Sequence, residues 1–468
     1  MTAIPKAHWF DQTLSLLREG NEFISHQCKR LGSDVFQTRL LLKKTICLRG
    51  REAAEIFYDN DKFIRHGAAP SRLQRTLTGK EGVQGLDGQA HQHRKAMFMS
   101  LMSSERIADL TDIFQAHWIE NAKQWPQQES VSLYNEVNHI CFLAAAQWSG
   151  IDLSTVNAHK QTENMVAMIE SPASIGPSHV KGIIARQRAE RWAQKLIQDS
   201  RDNATNSDKH CALHVFAHYR SPNGSLIDAK AAAVDLLNII RPIVAIGRYV
   251  CFCAFALHKH PEYHSTLANG SDDDIHHFVQ EVRRYYPYFP FAAAKVARDF
   301  TWQGYRFEQG TRVLLDLYGT NRAPGMWRQA DEFNPERFAK RENDAFALIP
   351  QGGGFYDKHH RCAGEWITLA LMESAVRFLT SSMTYRAVNS HVSIDLTAMP
   401  TLPDDGFLMT AVKLTKDADK RWQNSKIMRD YGTDSQSADA ADFSVAGEED
   451  PGAALEAFVE SERTHPHV

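Results

Sequence analysis

Residues 350–367 read PQGGGFYDKHHRCAGEWI, and the reading of the whole chain starts there. The glycine run at 352–354 permits tight turns and close approach of the backbone to a flat ligand. His359, His360 and Arg361 then bring basic side chains, and Cys362, Ala363 and Gly364 follow. An apolar helical pattern continues to Ser381. A cysteine just ahead of a helix feels the positive end of the macrodipole, which favours the thiolate, the form that binds iron. A small residue and a glycine directly after it let the chain pass close to a planar cofactor. The bland alternative is a buried structural cysteine before an ordinary helix.

Two motifs precede this loop. Glu281-Val-Arg-Arg284 places an acid and a base one helical turn apart, and Pro335-Glu-Arg-Phe338 follows. Alone, Glu281 and Arg284 would read as a surface ion pair worth little. Phe278, Val279 and the YYPYFPF run beside them indicate a partly buried helix, in which Arg284 needs a carboxylate. In their order, ExxR, PERF and HRCAG resemble the cytochrome P-450 superfamily, although FYDKH enlarges the usual cysteine loop. The resemblance implies a mostly α fold with small β-sheets. It also implies haem b, Cys362 as the axial ligand of its iron, and structural roles for Glu281 and Arg284.

The central helical stretch reads DAKAAAVDLLNIIRPIVAIGRYVCFCAFALHKH. Oxygen-using members carry an acid and an alcohol there to deliver protons. Here no Ser or Thr lies between Leu226 and Leu257, and Arg241-Pro242 stands at the centre. Proline within a helix removes a hydrogen bond and bends the axis. An arginine among apolar neighbours is costly unless it meets an anion, and guanidinium takes a carboxylate in two-pronged fashion. Arg241 is therefore expected to bind a substrate carboxylate, which supplies the missing acid–base group. The competing reading pairs Arg241 with Asp235 or Glu281. Arg248, two turns on, is a weaker rival.

VQGLDGQAHQHRK, RPIVAI, QEVRRYYP, VLLDLYGTN and PQGGG…HRCAGE make the resemblance closer. Over about residues 5–415 the chain resembles the bacterial fatty-acid peroxygenases. That family implies hydrogen peroxide as co-substrate, a long-chain fatty acid held by the Arg241-Pro242 pair, and no obligatory reductase. It points to Gln84 as a site residue favouring hydroxylation at the α or β carbon, where histidine goes with decarboxylation. Thr78 stands where relatives often have Phe. His91, Lys95 and Arg361 are expected around the haem propionates. Ile169, Phe289 and Phe291 are expected along the acyl chain, and Phe407 at a turn over the pocket.

The remaining composition bounds the alternatives. A net charge of −3 without a basic block offers no footprint for nucleic acid. Seven scattered cysteines without CxxC suit reduced thiols in a cytoplasmic protein. The charged N-terminus resembles neither leader nor anchor, and Arg241, Pro242 and Arg248 interrupt the most apolar stretch, so no transmembrane anchor is expected. Helices are expected near 9–30, 104–125, 131–149, 184–200 and 228–258. Strands are expected at Leu40–Leu48, Val296–Trp302, Thr311–Leu315, near Tyr385 and at Phe407–Leu414. Residues 1–417 form one expected domain and 418–468 an acidic tail that does not pack, with a short helix near Ala453–Glu462. Three rivals to peroxide-driven hydroxylation stand: decarboxylation to a terminal alkene, a redox-partner-dependent monooxygenase, and a haem or fatty-acid carrier.

Overall fold

The computed structural model describes residues 2–8, 10–174, 176–203, 209–340 and 344–415. The expected tail and its short helix lie outside the described residues. The helices are α1 (Thr13–Glu19), α2 (Phe23–Leu31), α3 (Arg51–Phe57), α4 (Ser71–Leu73), α5 (Gly88–Met99), α6 (Ser104–Ala122), α7 (Leu133–Trp148) and α8 (Ala158–Glu170). They continue as α9 (Pro177–Asp202), α10 (Ala212–His218), α11 (Ala229–Lys259), α12 (Glu262–Asn269), α13 (Asp272–Tyr285), α14 (Leu317–Asn321) and α15 (Glu365–Arg377).

Helix α11 organises the molecule. The Asp228 side chain accepts from the backbone N–H groups of Lys230 and Ala231 and so caps its start, and His258 and Lys259 suit its negative end. It is apolar on every side and buried from Ala231 to Leu257 apart from Pro242. A helix without a polar face belongs inside a core, and α7, α9 and α15 pack around it. By length and composition it is the one helix among the described residues that could cross a membrane, yet nearly all of its apolar stretch is covered by protein. The helix runs unbroken through Pro242. The ring leaves the Asn238 carbonyl without its usual donor but does not end the helix.

A five-stranded sheet has the order β1 (Val35–Leu40), β2 (Lys43–Leu48), β8 (Arg312–Asp316), β5 (Phe291–Val296), β3 (Phe63–Ile64). Only β2 and β8 run parallel in it. A three-stranded sheet sets β10 (Leu408–Leu414) between β4 (Val131–Ser132) and β9 (Met383–Ala387). Strands β6 (Phe300–Trp302) and β7 (Tyr305–Phe307) form a ribbon.

Four expected elements are corrected. Leu40–Leu48 is not one strand: the chain reverses at Leu41 and Leu42, both at positive φ, so it forms the β1–β2 hairpin. Neither residue is of the kind that marks such a turn, which is why the run reads as continuous. Val296–Trp302 splits into β5 and β6, and the helix expected over 9–30 breaks at Gly20 (φ 55°). Residues 131 and 132 are strand rather than the first turn of α7. The pairing of β9 with β10 appears as expected.

Candidate active site

The Cys362 loop is held from below by a lattice of buried charges. Arg284 donates from Nε and Nη2 to the two Glu281 oxygens at 2.7 and 2.8 Å. Its remaining donors reach the carbonyls of Asn321, Ala330 and Glu332 at 3.1, 2.9 and 3.1 Å. Arg337, from the PERF segment, adds a bond to Glu281 at 3.2 Å. Next to it, Arg283 and Arg361 share Glu365, with 2.7 Å between Arg361 Nε and Glu365 Oε2. Against its burial, Arg361 and Arg283 hold the Glu365 carboxyl down to about 2. Every one of these buried charges meets its opposite within the chain.

The loop itself turns at Gly352 and Gly354 (φ 100° and 87°). A Cβ on Gly354 would lie 2.3 Å from His359 Nδ1 and one on Gly352 3.2 Å from the His360 carbonyl, so the loop's own contacts demand these glycines. Cys362 N–H donates to the Gln351 carbonyl at 3.1 Å. Gln351 Nε2 stands 3.8 Å from the Cys362 sulfur and 3.0 Å from Thr368 Oγ1. Burial, followed by the Glu365 charge, pushes the Cys362 thiol up, although the Gly364 N–H and Lys95 oppose the shift. An iron ligand here would lose its proton to the metal.

Helix α11 packs against α15, the helix that begins three residues after Cys362. Arg241 is buried, and burial, followed by the nearby Arg186 cation, pulls its guanidinium down to about 9. Neither acid considered for it is available. Asp235 pairs with Arg94, and Glu281 belongs to Arg284 and Arg337. Arg241 forms no ion pair among the described residues; Nη2 donates to Asn238 Oδ1 at 3.1 Å, and Nε has no partner. It lies within electrostatic reach of Cys362 and Tyr288. Arg248, by contrast, is taken up by the Thr401 carbonyl at 2.6 Å and the Tyr134 hydroxyl at 3.0 Å.

Asn238 ties this corner together. Its Nδ2 donates to Gln84 Oε1 and to the Thr78 carbonyl, each at 3.1 Å. Arg186 of α9 donates to the neighbouring Leu77 carbonyl at 2.8 Å and pairs with Glu190 at 2.7 Å. The turn at Gln74–Thr78 is thus pinned by α9 and α11 beside Arg241. Gln84 itself is exposed.

The other singled-out residues fall in three groups. His91 stacks on His360 with ring centroids 3.8 Å apart, and burial pushes it down to about 2. Lys95 is buried and donates to the carbonyls of His359 and, at 2.7 Å, Arg361, so it clamps the cysteine loop. Phe291 is half-buried in β5, Ile169 is buried in the main core, and Phe289 is exposed and stands edge-on to Tyr288. Phe407 is buried against His258 and Tyr385 at a turn, with φ 57°.

Four residues were not anticipated: Asn238, Tyr288, Arg186 and Arg65. Arg65 is half-buried over the Phe57 ring, its charge within reach of His91, and its Nη1 has no partner. Asn238 left a trace in the sequence as an amide one turn before a buried arginine, and Arg186 as an i,i+4 partner of Glu190.

These residues fit a haem. Cys362 is the only cysteine among the described residues that is not fully buried. A Cβ on Gly364, two residues after Cys362, would meet nothing beyond its own chain neighbours within 4 Å, so the chain leaves open space there. At the rim the unpartnered Arg65 Nη1, with His91, suits the carboxylates of a porphyrin edge.

Comparison with known proteins agrees. The family described as Cytochrome P450 matches residues 275–382. A solved variant of cytochrome P450SP alpha (CYP152B1) is 41% identical, with a TM-score of 0.85 over 86% of this chain and 99% of that one. Cytochrome P450EX alpha (CYP152N1) with myristic acid is 40% identical, with a TM-score of 0.85 over 89% and 100%. A variant of cytochrome P450 OleT in complex with arachidonic acid is 33% identical, with a TM-score of 0.86 over 89% and 100%.

Proposed function

The chain belongs to the cytochrome P450 family, among its CYP152 members, and from that premise we propose that it hydroxylates long-chain fatty acids at the α or β carbon with hydrogen peroxide. The observation that carries this reading is Arg241: a buried guanidinium within electrostatic reach of Cys362 and with no carboxylate of its own among the described residues. Relatives solved with myristic and arachidonic acid supply the class of anion. Haem b, held by Cys362 with Arg65 and His91 at its rim, would supply the oxidising chemistry, one peroxide oxygen entering a C–H bond and the other leaving as water.

The protein's part is placement and proton handling. Arg241 binds the carboxylate with Nε and Nη while Asn238 fixes the plane of the guanidinium. Bound there, the carboxylate stands where oxygen-using relatives carry their own acid and relays a proton between the two peroxide oxygens. Binding supplies this group in position, so no acidic side chain is needed on α11. Clamping one end of the acid restricts reaction to the carbons next to it. Ile169, Phe289 and Phe291 are proposed to follow the rest of the acyl chain, and Gln84 to border the carboxylate through Asn238. No reductase is needed because peroxide brings both oxidising equivalents. The protein is read as cytoplasmic.

Purified protein incubated with one long-chain acid and peroxide tests this directly. Hydroxy acid should form without NAD(P)H, and Arg241→Ala should abolish it. Terminal alkene as the main product would favour the decarboxylation rival, which Gln84 in place of histidine disfavours. Turnover only with a reductase and oxygen would indicate a monooxygenase, and acid binding without peroxide consumption a carrier.

A further inference from the structure

One surface of the molecule is left unused by this reaction. Phe10, Leu14, Leu17, Leu41 and Leu42 are 76, 69, 37, 51 and 79% exposed, five of the eleven large apolar side chains exposed among the described residues. Hydrogen bonds lock the segment holding the first three onto the β1–β2 tip. Leu41 N–H donates to Thr13 Oγ1 at 2.7 Å, Leu42 N–H to Asp11 Oδ2 at 2.5 Å, and Gln12 N–H to the Arg39 carbonyl at 2.8 Å. The tip is unusual in its residues. Leu41 and Leu42 have φ of 49° and 62°, a conformation that favours Asn and Gly and that offers leucine neither burial nor ease.

Basic side chains predominate around the patch, which also holds the Asp11 carboxylate. Arg39 and Lys44 face each other across the hairpin, Lys43 faces Leu40, and Arg18 follows Leu17 on α1. Nearby acids are engaged: Glu308 with Lys44, Glu19 with His26, and Asp11 with the backbone of Leu42 and Thr13. Arg18, Arg39 and Lys43 form no ion pair among the described residues. From behind, an apolar cluster joins Leu16 of α1 and Leu40 of β1 to Phe291, the half-buried residue assigned above to the acyl chain.

We propose that this surface docks the protein, peripherally and reversibly, on an anionic lipid bilayer, with the Leu41–Leu42 tip in the acyl region and the basic ring at the headgroups. Exposed leucines and phenylalanine beside unpaired Lys and Arg are what such an interface attracts. A second copy of the chain fits less well, since a two-fold contact would press Arg39 and Lys43 against their own images. Docking would bring the fatty-acid site to the phase where its substrate resides. That rationale rests on the proposed function, but the test below needs no turnover, so either can fail alone.

The experiment is sedimentation of the full chain with vesicles of phosphatidylcholine plus phosphatidylglycerol, against phosphatidylcholine alone. Binding is expected to the mixed vesicles only and to weaken with salt. Leu41→Asn with Leu42→Gly supplies the residues the turn prefers, so Tm holds or rises while the bound fraction falls about tenfold. Arg39→Gln and Lys43→Gln should each lower binding roughly fivefold. The proposal is overturned if wild-type protein stays in the supernatant, if the Asn-Gly tip binds as well as leucine, or if the tip instead drives self-association.

Discussion

Below the cysteine loop, Arg284 places all five of its N–H bonds on Glu281 and three carbonyls, and Arg283 and Arg361 divide Glu365. Above it, Arg241 is as deeply enclosed yet meets one neutral amide and leaves Nε unbonded. Both regions bury guanidinium, and the cost of desolvating the charge is the same in kind. In the lower region the chain brings its own anions, so the result is a scaffold. In the upper region no acid of the described residues pairs with the cation, so the region is proposed as a binding site. Arg248 stands between them: a carbonyl and a phenol take its two Nη groups without any carboxylate, and its Nε, like that of Arg241, has no partner.

The lower region should break hardest. Arg284→Ala leaves Glu281 buried with only Arg337 and a backbone N–H, and stability should fall by about 3–5 kcal/mol, read as a large drop in Tm or loss of soluble protein. A mild effect would erase the distinction between the two regions. In the upper region, Arg241→Leu should cut peroxide-dependent turnover of a long-chain acid at least ~30-fold, since a desolvated charge pair is worth some 2–5 kcal/mol. Its Tm should hold or rise, because an uncompensated buried cation is removed. Lost stability with retained activity would reverse the assignment.

Asp316 sharpens the contrast with a buried acid that has only neutral donors, Ser25 at 2.8 Å and the Gly319 N–H at 2.7 Å. Burial pushes it up to about 6. The folded state therefore holds this proton more tightly than the unfolded chain does. Its stabilising share is complete below about pH 4 and is lost as pH rises through 6. Asp316→Asn should remove that share of the pH dependence, on the order of 2 kcal/mol between pH 4 and 7, when urea midpoints of the two proteins are compared. The smallest effect is expected at Asn238. Asn238→Ala frees the guanidinium to turn and should raise KM for the acid roughly 3–10-fold, leaving Tm little changed. A change confined to kcat would place Asn238 in the chemistry rather than in positioning.

Much of this was legible in the sequence. Cys362, Glu281, Arg284 and Arg241 were found because each breaks a local rule: a cysteine among glycines and bases, an acid and a base in an apolar helix, an Arg-Pro in a core helix. Lys95 was legible as a base near the loop, but its use as a clamp on two carbonyls was not. Arg65 left no periodic or spacing signal, and Arg186 read only as an i,i+4 partner of Glu190, because its bond to the Leu77 carbonyl joins elements far apart in the chain. The β1–β2 reversal was missed because leucines make the turn without the residues that announce one.

The sequence alone determined the helical class, the cysteine loop and the central helix with its arginine, since these follow from patterns within one segment. Only the tertiary structure decided which buried arginines are satisfied. Charge pairing is a matter of distance in space, and the same residue type becomes scaffold or receptor according to whether folding carries an opposite charge to it.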